Sequence, residues 1–135
     1  MQASKLIKSL RFKKIVPKNF EDFSVSLVTQ DTREVTLGSI FIAIKGAKFD
    51  GHKLVHEAIE KGAAMIIAQE ELPEIAVPVV YVQNTNKAMA ILSSFFYETS
   101  SQALRVIGVT GTNGKTTVTH IIEAIFRNLG EKTGL

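Results

Sequence analysis

Apolar and polar positions fall into blocks of two kinds along this chain. Ser24-Val25-Ser26-Leu27-Val28-Thr29 alternates and is rich in β-branched residues, which predicts a half-buried strand. Ser39–Ile44, Ala64–Ala68 and Val77–Val82 are nearly continuous apolar runs. Such runs predict strands covered on both faces. Between them the spacing turns helical. Leu54, Val55, Ala58 and Ile59 give one apolar face and predict a helix over His52–Lys61, stopped by Gly62. Ala88, Ile91, Leu92, Phe95 and Phe96 predict another, capped by Asn84 or Thr85, with both phenylalanines in the core. Leu6, Ile7 and Leu10 predict a short helix over Ser4–Leu10. Lys13, Lys14 and Lys18 around Pro17 read as an exposed loop, Leu37-Gly38-Ser39 as a turn, and Glu70–Glu74 as a solvated acidic turn.

A different pattern closes the chain. The apolar run Val106–Thr110 predicts a strand, and Gly111-Thr112-Asn113-Gly114-Lys115-Thr116-Thr117 follows it as a glycine-rich turn. Val118, Ile121, Ile122, Ile125, Phe126 and Leu129 then form an unbroken helical stripe, expected to pack on a sheet. Strand, loop and helix in that order present backbone N–H groups to a phosphate at a helix N-terminus. The general phosphate-binding pattern is Gly, four residues, then Gly-Lys-Ser/Thr. Here its first glycine position holds Val109, and glycines stand instead at Gly108 and Gly111. The physics survives the altered spacing. Gly111 and Gly114 permit close backbone approach, Lys115 puts a cation on the β- and γ-phosphates, and the Thr116 hydroxyl is placed for Mg²⁺. Lys115 is therefore the candidate catalytic residue. His120 flanks the stripe and reads as structural.

Glu98-Thr99-Ser100-Ser101-Gln102 is a polar, small-residue stretch that predicts a domain boundary. The expected organisation is α/β: a small domain over 1–98, a linker over 99–103, and the start of a second, nucleotide-binding domain over 104–135. Composition changes this picture little. With 135 residues and 45% hydrophobic positions a real core is possible. A net charge of +3 with scattered lysines does not point to nucleic acid. The absence of cysteine excludes disulfides and thiolate metal sites. No apolar run approaches the ~18 residues of a membrane span, and Met1–Leu10 lacks a signal-peptide core, so the expectation is a cytoplasmic protein with no membrane insertion.

Three further stretches carry chemistry with open alternatives. Gln30-Asp31-Thr32-Arg33 ends the first strand in polar groups, which face a ligand crevice or simply make a turn. Lys45–His52, with Gly46, Gly51 and two lysines, could hold a diphosphate or serve as an ordinary strand-to-helix connection. His52 and His56 stand four apart, but no further ligand joins them, so they read as surface or helix-start residues.

The loop Val109–Thr117 resembles the ATP loop of the Mur ligases, the ATP-dependent amide-bond synthetases of peptidoglycan precursor synthesis. Asp31-Thr32-Arg33, Gly38–Gly46 and Phe49-Asp50-Gly51-His52 resemble that family's N-terminal domain, which holds the UDP-sugar substrate. The Thr112-Asn113 form, with Glu131–Leu135 following, is more similar to the branch that adds the third residue (UDP-N-acetylmuramoyl-tripeptide synthetases) than to the dipeptide-adding branch, which usually has Ser in place of Thr112.

The resemblance implies ATP and Mg²⁺ as cofactors, with Gly111–Thr117 binding ATP and Thr116 the metal. It implies UDP-sugar contacts at Gln30, Thr32, Ala47, Lys48 and Phe49, where Thr32 replaces a usual Ser and keeps the hydroxyl. The implied partners are UDP-N-acetylmuramoyl-dipeptide and a free amino acid, meso-diaminopimelate or L-lysine, joined through an acyl phosphate by a full-length protein expected to be monomeric. The remaining metal ligands, a carbamylated lysine and the amino-acid pocket would lie beyond Leu135, so residues 1–135 alone are expected to be inactive. A stand-alone binding module and a folylpolyglutamate-synthetase-like enzyme are the competing readings. The second lacks a UDP-sugar domain in front.

Overall fold

The computed structural model describes residues 1–46, 49–97 and 105–134. The chain divides into two compact units, Met1–Ser100 and Ser101–Leu135. The expected linker lies outside the described residues.

In the first unit the elements run α1 (Ala3–Ile7), β1 (Phe12–Val16), β2 (Val28–Thr29), β3 (Ser39–Ile42), a 3-10 turn (Gly51–Leu54), α2 (Val55–Glu60), β4 (Ala63–Ala68), β5 (Val79–Val82) and α3 (Thr85–Phe96). One five-stranded sheet has the order β1-β5-β4-β3-β2. Strands β2 to β5 are parallel, and β1 pairs antiparallel with β5.

The apolar runs form the middle of the sheet because they are covered twice. Along β3, Ile40 and Ile42 join a cluster with Leu6, Met65, Ile67, Val80 and Leu92, under α1 and α3. Phe41 and Ala43 point the other way, to Val55, Ala58, Ile66 and Tyr81 under α2. This alternation is the period-two geometry of a strand, and burial of each large apolar side chain contributes about 1.5–3 kcal/mol. Both helix caps are local chemistry: the Asp50 side chain accepts from the His52 amide, and that of Asn84 from the Lys87 amide.

Four expectations for the first unit need correction. Lys13 and Lys14 lie in β1, not in a loop. This edge strand is largely exposed, so nothing imposes an alternating pattern on it, and its lysines suit an unpaired edge. Lys14 Nζ bonds Glu71 Oε1 at 2.7 Å and lies 4.7 Å from the centre of the Tyr81 ring. The strand expected over Ser24–Thr29 is limited to Val28–Thr29, with Ser24 in an isolated bridge to Gln2. The helix expected over His52–Lys61 begins as a 3-10 turn and is α-helical only from Val55. Phe96 packs against the core, but Phe95 is 56% exposed.

In the second unit, α4 spans Lys115–Asn128 and directly follows the glycine-rich loop. The strand expected over Val106–Thr110 is absent. An apolar run becomes a strand only against a ladder partner, and none pairs with it among the described residues. The stripe of α4 buries no residue. Among the described residues, no helix is long and apolar enough to cross a membrane.

Candidate functional site

The parallel strands end on one edge of the sheet, where loops after them collect the polar residues. In open α/β sheets ligands bind outside the carboxyl ends of the strands. Gln30 follows β2 and is exposed. Thr32, two residues on, is 6% exposed, and its hydroxyl donates to Glu57 Oε1 at 2.9 Å. Glu57 also accepts from Lys61 Nζ at 2.7 Å. The lysine and then the threonine hold the Glu57 carboxyl below its ordinary value. Between them Asp31 pairs with Arg33, whose guanidinium and amide pull the Asp31 carboxyl down to about 2. The turn is thus internally bonded, and Thr32 keeps oxygen lone pairs rather than a free proton for a ligand.

The loop after β3 is fixed at both described ends. Lys45 bridges Asp50, Gly46 N–H donates to Phe49 O at 2.8 Å, and Gly51 N–H to Ile44 O at 2.8 Å. A Cβ on Gly51 would lie 2.8 Å from the Ile44 nitrogen and oxygen, so only glycine fits. Phe49 is 66% exposed at this loop's surface. Ala47 and Lys48 lie outside the described residues.

Behind the loop stands a network that sequence spacing did not reveal. His52 Nδ1 is 2.7 Å from Asp50 Oδ1, and its Nε2 is 3.3 Å from both the Gln69 and Glu70 amides. Hydrogen bonding to His52 lowers the Asp50 carboxyl. Gln69 Oε1 in turn accepts from the amide and hydroxyl of the buried Thr85 at 3.3 and 3.0 Å. Lys45 Nζ reaches Glu70 Oε1 at 2.7 Å. Asp50, His52 and Glu70 offer ligand atoms within 4.8 Å of one another, the spacing of a cation site. Each already has a protein partner, so the cluster reads as a clasp rather than a metal centre. The reading of His52 and His56 as helix-start or surface residues holds for position: His52 lies in the Gly51–Leu54 turn, with its ring inside this network, and His56 is exposed on α2.

In the second unit Gly114 occupies the N-cap of α4 with φ 75°, a left-handed conformation that favours glycine, and no side chain caps the helix. Lys115 Nζ folds back to the carbonyls of Gly111 and Thr112 at 2.7 and 3.2 Å. Thr112, Asn113, Thr116 and Thr117 are exposed around it. Open helix N–H groups beside a fixed ammonium suit an anion with several oxygens.

The Mur ligase family, catalytic domain, matches residues 24–97, more than half of the chain. The chain belongs to the Mur ligase family. The Mur ligase middle domain matches residues 109–135, the stretch that holds the loop and α4. The UDP-N-acetylmuramoyl-L-alanyl-D-glutamate–2,6-diaminopimelate ligase of Lactiplantibacillus plantarum is 58% identical over all of this chain and 27% of its own length. Its namesake in Listeria monocytogenes is 47% identical over 85% of the chain and 23% of that protein. The chain therefore spans about a quarter of the length of these Mur ligases. Among solved structures, MurF from Acinetobacter baumannii superposes with a TM-score of 0.74 at 25% identity, covering 94% of this chain and 27% of that one. MurF ligase from Thermotoga maritima in complex with ADP gives 0.58 at 32% identity, covering 75% and 23%.

Proposed function

We propose that this chain is the substrate-holding and nucleotide-entry part of a ligase that joins 2,6-diaminopimelate to UDP-N-acetylmuramoyl-L-alanyl-D-glutamate, in the cytoplasm. Residues 1–98 are assigned to the UDP-sugar and residues 104–135 to the start of the ATP domain. The observation that carries this reading is the Gly114–Lys115 helix start in a chain 58% identical to a ligase of that name.

Each residue's part follows from its setting. Gly114 lets the chain turn so that the first amides of α4 face outward. Lys115 is already steered by the Gly111 and Thr112 carbonyls and has a further N–H for a phosphate oxygen. Thr116, exposed in the first turn, offers a hydroxyl oxygen to Mg²⁺. ATP, when bound, supplies the phosphoryl group that activates the substrate carboxylate. The protein's share is positioning and electrostatic clamping. On the first unit, Gln30, Thr32 and Phe49 with Ala47 and Lys48 are assigned to the UDP-sugar. Thr32 accepts from a donor on it, because its own proton goes to Glu57.

The test is phosphate release by the full-length protein with ATP, Mg²⁺ and UDP-N-acetylmuramoyl-L-alanyl-D-glutamate, adding diaminopimelate, L-lysine or D-alanyl-D-alanine in turn. Release only with diaminopimelate is expected, and Lys115→Ala is expected to reduce it at least about a hundredfold. Solved structures similar to this chain include one named as a D-alanyl-D-alanyl ligase, which favours the dipeptide-adding ligase as the second reading. It would require release with UDP-N-acetylmuramoyl-tripeptide and D-alanyl-D-alanine instead.

A further inference from the structure

We propose that His52 is a positioning residue for the loop between β3 and the Gly51–Leu54 turn, holding it through Nε2 against the carboxyl end of β4 so that Phe49 meets the uridine. The inference rests on the reading of this loop as the UDP-contacting segment.

The side chain of His52 is 7% exposed. Its Nε2 faces two backbone N–H donors, Gln69 and Glu70, each at 3.3 Å. Two donors can be met only by a bare lone pair, so Nε2 carries no proton and the ring proton sits on Nδ1. There it donates to Asp50 Oδ1 at 2.7 Å, and that same oxygen accepts the backbone N–H of His52 at 3.0 Å. One carboxylate oxygen thus fixes both the turn and the ring's tautomer, and the ring carries the connection across to β4. The far side of the connection is firm, because Gln69 is tied to the buried Thr85 at the start of α3. Lys45 to Glu70 provides a second tie between the same two segments, but both of its side chains are about half exposed. Exposed pairs hold weakly. The buried ring is the stronger fastening.

The consequence is preorganisation. Phe49 holds its ring largely in solvent while its own carbonyl accepts from Gly46 N–H and, two residues on, Gly51 N–H donates to Ile44 O. An exposed aromatic on a fixed loop stacks on a flat base with little ordering cost, and the same ring on a loose loop loses that advantage.

Asparagine at 52 can place its amide where Nδ1 stands and keep the Asp50 bond while losing the bridge to β4. Glutamine reaches the Nε2 position and keeps an oxygen for the two amides. The experiment is calorimetric titration of the protein and its variants with UDP-N-acetylmuramoyl-L-alanyl-D-glutamate, with hydrogen exchange read at the Gly46 and Gly51 amides. His52→Asn is expected to bind about tenfold more weakly and to exchange at least about tenfold faster at Gly51. His52→Gln is expected to stay within about threefold of the parent in both. Equal behaviour of the two variants, or parent-like binding and protection in His52→Asn, overturns the proposal. If His52→Asn fails to fold, Asp50→Ala frees the ring without touching it and is expected to show the same losses; unchanged protection there refutes the clasp. If the parent does not bind the UDP-sugar at all while exchange follows the expected order, the UDP reading of the loop fails and the fastening stands.

Discussion

Replacing Gly51 by alanine tests how tightly the loop after β3 is built. A Cβ at this position would sit 2.8 Å from both the nitrogen and the oxygen of Ile44 and 3.2 Å from the Ala43 carbonyl carbon. All three are backbone atoms directly after β3, a strand paired on both sides, so they have little room to yield. The loop must retreat by about 0.6 Å to restore ordinary contact, an overpacking cost of about 1–3 kcal/mol. The same retreat weakens the Gly51 N–H to Ile44 O bond, worth about 1 kcal/mol. Against this, alanine lowers the entropy of the unfolded chain by about 0.4–1 kcal/mol. The net is a destabilisation of roughly 1–3 kcal/mol, and a melting temperature lower by about 5–20 °C for a unit of this size. Calorimetric or fluorescence melting of the parent and Gly51→Ala measures it directly. A melting temperature equal to or above the parent's would refute the reasoning, since the entropy term would then outweigh a clash that the backbone had absorbed. Gly114→Ala is the instructive contrast. Among the described residues, no atom beyond its own chain neighbours and helix backbone lies within 4 Å of its Cβ position, and the cost there is the left-handed φ of 75°, about 1–2 kcal/mol felt at the glycine-rich loop rather than in the core.

The remaining predictions concern packing and pH. Leu92→Ala, at a fully buried position on the inner face of α3, is expected to cost about 2–5 kcal/mol in urea denaturation, whereas Phe95→Ala one turn away should stay within about 0.5 kcal/mol; similar losses for both would show that Phe95 is covered in solution. Asp22, Asp31, Asp50 and Glu57 all have carboxyls held below their ordinary values, by Ser4, Arg33, His52 and Lys61 respectively, with Asp31 at about 2. A depressed carboxylate contributes stability that is complete above its unfolded value and lost as pH falls through its folded one. Melting temperature should therefore decline below about pH 5 and more steeply toward pH 3, and a melting point unchanged down to pH 3 would contradict the bonds named. Thr32→Val should weaken UDP-sugar binding by about tenfold while Glu57→Gln changes it less, because the amide still offers an oxygen to the threonine proton; no effect of Thr32→Val would remove Thr32 from the substrate site.

Much of the first unit was readable from the order of residues because its central strands are buried on both faces. Ser39–Ile42, Ala63–Ala68 and Val79–Val82 could not be apolar throughout and remain at a surface, and the helices between them show one apolar face each. The glycine–lysine loop was legible for another reason: its geometry is local, set by a left-handed Gly114 and the first turn of α4. Where the signal was misread, the missing information was always a partner. Phe12–Val16 is an exposed edge strand whose only instruction to be a strand comes from β5, which lies far away in sequence. Val106–Thr110 carries the right residues for a strand but has no ladder beside it among the described residues.

The candidate site divides in the same way. Gly114 and Lys115 stood out by residue type and spacing, and Thr32 and Phe49 through the family resemblance. Glu57, Gln69 and Thr85 did not, since a polar residue after a strand or at a helix start looks the same whether it faces water or a neighbour. Sequence alone determined the α/β core, the phosphate-type loop and the likeness to one ligase family, because hydrophobic period and glycine placement act within a few residues. Tertiary structure decided which edge carries β1, that Phe95 faces outward, and that the His52 ring is buried in a bond network. Those outcomes depend on contacts across the sheet, and a side chain's hydrogen-bond partners exist only once the strands have brought them within about 3 Å.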